Sequence, residues 1–170
     1  MSKIYVNEIR HSGGAESALT INSSGRVAHP KRPILSVRGV ATSATLSAAD
    51  STFNSVTSWT TTDVDVGGLL DSGGYAEVPT GFAGIYQITW VSNATTTTNY
   101  NSAMIYHYDG STYTQLVLHY ASNDYNGYST GTTLFYDLAA GDRIYVGYDN
   151  QYGVPSTGNN KHNFSMMYIG

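Results

Sequence analysis

The 170-residue chain contains no cysteine, which excludes a disulfide framework and any thiolate metal site. Charge is scarce as well: Asp, Glu, Lys and Arg make up 12% of the residues, half the roughly 25% of an average soluble protein. No segment approaches the roughly 18 consecutive apolar residues of a membrane-spanning helix. The opening residues, MSKIYVNEIRHSGG, lack the apolar core of a secretory signal. The expectation is a protein made in the cytoplasm, with no membrane insertion and no export by the general route.

Apolar residues amount to 41%, enough for a core and too many for wholesale disorder. With so few charges, the polar surface must come from 19 Ser, 20 Thr, 12 Asn and 15 Tyr. β-Branched and aromatic side chains fit a pleated surface, so this palette favours strands and excludes an all-helical protein. The length suits one domain with a short appendage.

The few charges are unevenly placed. Residues 1–38 carry six basic against two acidic side chains, a net +4, while residues 39–170 carry two against ten, a net −8. Such asymmetry points to an interaction arm on a body of opposite sign. The basic residues are dispersed among Ile4, Val6, Ile9, Leu19 and Ile21, and the acidic body would repel phosphate, so nucleic acid is not the expected partner.

Within the arm, Ser2 to Ile9 alternates, with Ile4 and Val6 on one side and Tyr5 and Asn7 on the other. Ser12-Gly13-Gly14 turns the chain and Ala18 to Ile21 returns it, a hairpin. A lone hairpin is marginal in water, so this one is expected to dock on a partner. Its candidate contact residues are Lys3, Ile4, Val6, Ile9, Arg10, Arg26, Lys31 and Arg32. Pro30 and Pro33 stiffen the boundary, giving a docking arm over 1–33 and a body over 34–170.

The body reads as short strands separated by turns. They are expected at Ile34–Val37, Val56–Trp59, Thr62–Val66, Tyr75–Val78, Gly84–Ser92, Ser102–Tyr108, Tyr113–His119, Thr132–Asp137, Arg143–Tyr148 and His162–Ile169. Asp109-Gly110 is a strong hairpin signal. Ala44–Asp50 alone looks helical, and it is short. The spacing predicts an all-β sandwich or jelly roll.

Three segments together resemble the C1q/TNF-like jelly-roll domain. Tyr75 to Pro79 followed by Ala83-Gly84-Ile85-Tyr86-Gln87-Ile88 is similar to that family's "F-x-x-P … A-G-x-Y-x-F" signature. Leu138 to Val146 is similar to its "L-x-x-G-D-x-V-x-V" segment, and Asn163 to Ile169 to its closing strand, with Met166 in place of a usual Gly. The resemblance implies a homotrimer built through aromatic-rich faces. The strand residues Tyr86, Trp90, Tyr106, Tyr108, Tyr136, Tyr145, Tyr148 and Tyr168 agree, since one small sandwich would struggle to bury so many hydroxyls with partners. The arm's "K-I-Y-V-N-E-I … L-T-I-N-S-S-G-R-V" resembles the N-terminal arms of bacteriophage fibre and virion structural proteins, particularly from marine and cyanobacterial phages.

Signs of catalysis are poor: G-x-S-x-G, H-E-x-x-H and Walker motifs are all missing. His107 and His119 flank one expected hairpin and are the only histidines placed to approach each other. Asp63 and Asp65 share one face of an exposed strand, where solvated carboxylates are ordinary. No enzyme activity, cofactor or metal is expected. Two segments have the composition of adaptable binding surfaces, Ser122–Ser129 and Asp149–Gly153. There Tyr125, Tyr128 and Tyr152 would offer stacking faces, while Asn126 and Asn150 would orient sugar hydroxyls. The first expectation is a phage virion structural protein, a trimeric knob attached by its arm to other virion proteins as capsid decoration or a short appendage. The alternative is a tail-fibre tip that binds a host receptor or surface glycan.

Overall fold

A computed structural model describes residues 8–10, 17–21, 27–28, 32–93, 100–122, 129–149 and 162–170. The chain divides into two units, Met1–Arg32 and Pro33–Gly170. In the first, β1 (Glu8–Arg10), β2 (Ser17–Ile21) and β3 (Val27–Ala28) form an antiparallel sheet in that order. The expected hairpin thus gains a third strand, because Val27 returns to pair with Ile21. Residues 2–7 of the expected first strand lie outside the described residues.

The second unit consists of β4 (Ile34–Thr45), β5 (Phe53–Val66), β6 (Ala76–Glu77), β7 (Gly84–Asn93), β8 (Tyr100–Tyr108), β9 (Tyr113–Ser122), β10 (Ser129–Leu138), β11 (Arg143–Asp149) and β12 (Asn163–Tyr168). The order along the sheet is β10-β7-β12-β4-β5-β11-β8-β9, and β6 pairs with β11. Every pairing is antiparallel. β12 pairs with the first half of β4, at Ile34–Arg38, whereas β11 pairs with the first residues of β5, at Phe53–Ser55. The β4–β5 hairpin therefore passes from one layer to the other. Bulges at Ser36/Val37, Val40/Thr42 and Thr42/Ser43 supply the bend. The layers are β10-β7-β12-β4 and β5-β11-β8-β9, a jelly-roll sandwich.

Period-two patterning decides which side chains enter it. Tyr86, Ile88 and Trp90 of β7 are fully buried, and Phe164 and Met166 of β12 pair beside them. Ile105, Ile144 and Val146 close the core from the second layer. The turns follow their local chemistry. Asp109 accepts the Ser111 and Thr112 N–H groups at 2.8 and 2.7 Å in the β8–β9 hairpin, where Gly110 has φ +94°. Asp142 accepts the Ala139 N–H at 2.9 Å beside Gly141, φ +89°.

Three expectations need correction. Val56–Trp59 and Thr62–Val66 are parts of one strand, since the intervening threonines suit a strand as well as the valines do. Ala44–Asp50 is no helix: Thr45 ends β4, and one turn follows, with Ala49 N–H donating to the Leu46 carbonyl at 2.9 Å. The tyrosine surplus is also absorbed within a single chain. Tyr86, Tyr106 and Tyr148 are buried: Tyr86 donates to the Phe82 carbonyl (2.8 Å), Tyr106 donates to Gln115 Oε1 (3.0 Å), and Tyr148 shares a bond with the Ser43 hydroxyl (2.7 Å). Tyr106 and Tyr145 belong to a second apolar cluster with Phe53 and Met104, covered by Leu46, Tyr108 and Tyr113 among others. Buried tyrosines therefore give no argument for association.

Candidate functional site

The surface that stands out is the outward side of the first layer. On β7 the residues alternating with the core are Ile85, Gln87, Thr89 and Val91. Pair by pair, the register carries this phase across the sheet. Phe135, Gln87, Met167, Ile34 and Val66 form one row over five strands. Thr133, Thr89, Ser165, Ser36 and Val64 form the next. The first row is apolar apart from one amide. The second is mostly hydroxyl, with Thr89 and Thr133 bonded to each other at 2.9 Å.

Phe135 is 64% exposed and Ile85 45%, and Ile169, which bonds back to the Ile85 carbonyl at 2.7 Å, is exposed beside them. Val64 and Val66 are exposed at the other end of the rows. Charged side chains appear only at the margins of this phase. Asp137 pairs with Ile85 at one corner, and Arg38, paired with Asn163, meets Asp63 at 3.1 Å at the opposite one. A contiguous, nearly uncharged face of this kind marks an interaction site.

A second exposed apolar element lies along β9 and β10, the outer strands of the two layers among the described residues. His119 Nδ1 and Thr130 Oγ1 lie 3.3 Å apart across it, and Leu118 and Tyr120 are 40% and 41% exposed there. Sequence reasoning places Ile34, Val66, Gln87, Phe135 and Met167 in expected strands but gives no sign that they form one row. Each sits in a recognisable strand, yet only the register of strands distant in sequence puts them in one row.

The expected site residues fare differently. Lys3, Ile4, Val6, Arg26 and Lys31 of the arm lie outside the described residues, as do Tyr125, Asn126, Tyr128, Asn150 and Tyr152 of the two loops. Ile9 and Arg10 are in β1, with a bulge between them, and Arg32 ends the first unit. His107 and His119 do not approach: they pair with Thr114 and Ala103, four positions apart along β8, about 13 Å of strand. His107 Nε2 instead lies 2.9 Å from Asp142 Oδ2, with both side chains nearly buried. Asp63 faces Arg38, and Asp65 accepts the Leu69 N–H at 2.8 Å, so the two carboxylates have separate partners. Among the described residues no group of three His, Asp or Glu side chains could hold a metal.

The outward side of the second layer is aromatic but closed on itself. The Arg143 guanidinium bonds Glu77 at 2.8 Å and lies over the rings of Tyr75 and Tyr108 at 5.1 and 5.9 Å. Tyr108 stacks on Tyr113 at 4.5 Å and donates to the Gly110 carbonyl at 2.7 Å. Burial, then the Tyr113 hydroxyl beside it, raises the pKa of Tyr145. Ring faces and hydroxyls here already have partners, so this cluster stiffens the sheet.

The layer order, the β4–β5 crossover and the packed core define a jelly roll of the C1q/TNF-like kind. Murine APRIL at pH 8.0 superposes with a TM-score of 0.62 and 18% identity, covering 82% of this chain and all of that one. The globular domain of zebrafish complement 1qA superposes at 0.59 with 12% identity, covering 82% of this chain and 98% of its own. No protein-family model matches the chain, and no curated protein matches it.

Proposed function

We propose that the chain is a virion structural protein of a bacteriophage, a homotrimeric jelly-roll knob held on the particle by residues 1–33. The observation that carries the trimer is the uncharged face centred on Phe135, Gln87 and Met167, together with the apolar edge at Leu118 and Tyr120. The face and the edge are different surfaces, so a contact between them is heterologous, the kind that forms a ring where the rotation between copies closes. The resemblance to C1q/TNF-like domains supports three copies in that ring. The particle assignment rests on the arm's sequence, which resembles phage virion arms, and on the net +3 of residues 1–33 (five basic, two acidic) beside the −7 of residues 34–170 (three basic, ten acidic). Scarcity of catalytic constellations supports a structural role over an enzymatic one.

Light scattering tests the assembly. The full chain at micromolar concentration should give the mass of a trimer, and Phe135→Asp should give a folded monomer. A monomeric wild type overturns the trimer. Deleting residues 1–33 should leave a trimer that no longer incorporates into particles. Normal incorporation of that truncated chain overturns the arm's role.

A further inference from the structure

Gln87 is the one amide in an otherwise apolar row of the first layer. Its register neighbours are Phe135 of β10 and Met167 of β12, and Ile34 and Val66 continue the row. The next row partly settles its own polar groups, since Thr89 and Thr133 bond to each other at 2.9 Å. Gln87 is different. Its side chain is half-buried and hydrogen-bonds to none of the described residues. The amide carries two N–H donors and a carbonyl acceptor, and in the single chain these stay open to solvent.

We propose that Gln87 sets the register of the subunit contact: covered by the edge of a neighbouring copy, its amide bonds to that copy, and one placement of edge on face satisfies it. The inference rests on the trimer proposed above. Apolar attraction is non-directional, so the row through Phe135 and Met167 and the edge at Leu118 and Tyr120 fit each other in several placements. Neighbouring strands lie about 4.8 Å apart, and side chains on one face repeat about every 6.8 Å along a strand. Slips of those sizes keep apolar groups opposite apolar groups. The amide does not tolerate them. Opposite Leu118 it loses solvent and gains no partner, which is costly. Opposite a hydroxyl, an imidazole or an open peptide group it is satisfied. The edge offers all three: Thr130 and His119 lie 3.3 Å apart there, and β9 and β10 are each paired on one side only among the described residues. A single polar group in an apolar contact thus selects one placement, at some cost in affinity.

Gln87→Met keeps the length of the side chain and removes the amide. Native mass spectrometry and light scattering of the full chain across a dilution series read the result. The wild type should show one associated mass, the trimer. Gln87→Met should stay associated to about tenfold lower concentration and spread over several masses, because placements that the amide forbids become equivalent. A single trimeric mass for Gln87→Met overturns the register role and leaves the trimer standing. A monomeric wild type overturns the trimer and the inference with it. Amide exchange gives a second readout that needs no variant at Gln87. The chain has three glutamines, Gln87, Gln115 and Gln151, so NMR of chain labelled at the glutamine side-chain nitrogen resolves them. The Gln87 N–H protons should exchange slowly in the wild-type trimer and fast in the Phe135→Asp monomer. Equal exchange in the two overturns the bond between copies.

Discussion

The indole N–H of Trp90 on β7 donates to the carbonyl of Gly147 on β11 at 2.9 Å, a hydrogen bond that crosses the core from one layer to the other. It fixes the distance between layers at the point where β11 runs beside β5. Any residue would supply that carbonyl, but only glycine fits: a Cβ at this position would collide with the Asn54 carbonyl and the Phe53 ring. Gly147→Ala should therefore cost about 3 kcal/mol, the upper range for overpacking. Trp90→Phe should strand a buried carbonyl, at about 1–3 kcal/mol before any cavity cost. Urea melts followed by circular dichroism check both. An unchanged midpoint for Gly147→Ala would show that β5 can move away from β11.

Alkaline pH should open the domain in a defined window. Burial, then the nearby Tyr168, pushes Tyr86 up to about 12, and burial followed by Asp50 pushes Tyr106 to about 12. A folded-state value above the unfolded one means that stability is complete below about pH 10 and declines as the pH rises toward 12. Tyrosinate absorbance should rise in two stages, exposed rings first and buried rings together with loss of tryptophan signal. A single stage near pH 10 with the fold intact would contradict the burial.

The turns and strand faces of the jelly roll were legible in the sequence because they are local. Asp109-Gly110 and Gly141-Asp142 announce their turns through side-chain bonds two or three residues away. β7 shows its two faces through plain alternation. Misreadings arose where local patterns were ambiguous. Thr60-Thr61 looks like a break between strands, yet β-branched residues continue β5 through it. The tyrosines look like a surplus in the sequence because their partners, Phe82, Gln115 and Ser43, meet them only once loops and strands are packed. The row from Phe135 to Val66 is illegible for the same reason: its register is set by pairings such as Gln87 with Met167 and Met167 with Ile34, between residues far apart in the chain.

Self-association and particle docking should respond differently to salt. The proposed face is uncharged between Asp137 and Arg38, so trimer dissociation should change little between about 0.05 and 0.5 M salt. Docking through an arm of five basic and two acidic side chains, net +3, should weaken over the same range. Sedimentation of the free protein and retention on salt-washed particles measure the two separately. Trimers that fall apart as salt rises would assign their stability to charge pairs, against the apolar row.

Recognition of a host glycan is the remaining question, and strand geometry makes it testable. Ser129 pairs with Asn93, Asn163 pairs with Val91, and the Asp149 N–H donates to Ser102 at 2.8 Å. The strand ends that flank segments 123–128 and 150–161 are therefore gathered at one end of the sandwich. If that end binds sugar, Tyr125, Tyr128 and Tyr152 should supply stacking faces, with Asn126 and Asn150 orienting hydroxyls. Removing a stacking aromatic at a binding hot spot costs about 2 kcal/mol, a loss near thirtyfold. Tyr125→Ala with Tyr152→Ala should then abolish glycan or cell binding while trimer mass and melting stay unchanged. The structural-protein reading expects the opposite result: no retained glycan on an array, and normal adsorption by particles carrying the double variant. Loss of adsorption in that variant, with trimers intact, would move the protein from decoration to receptor binding.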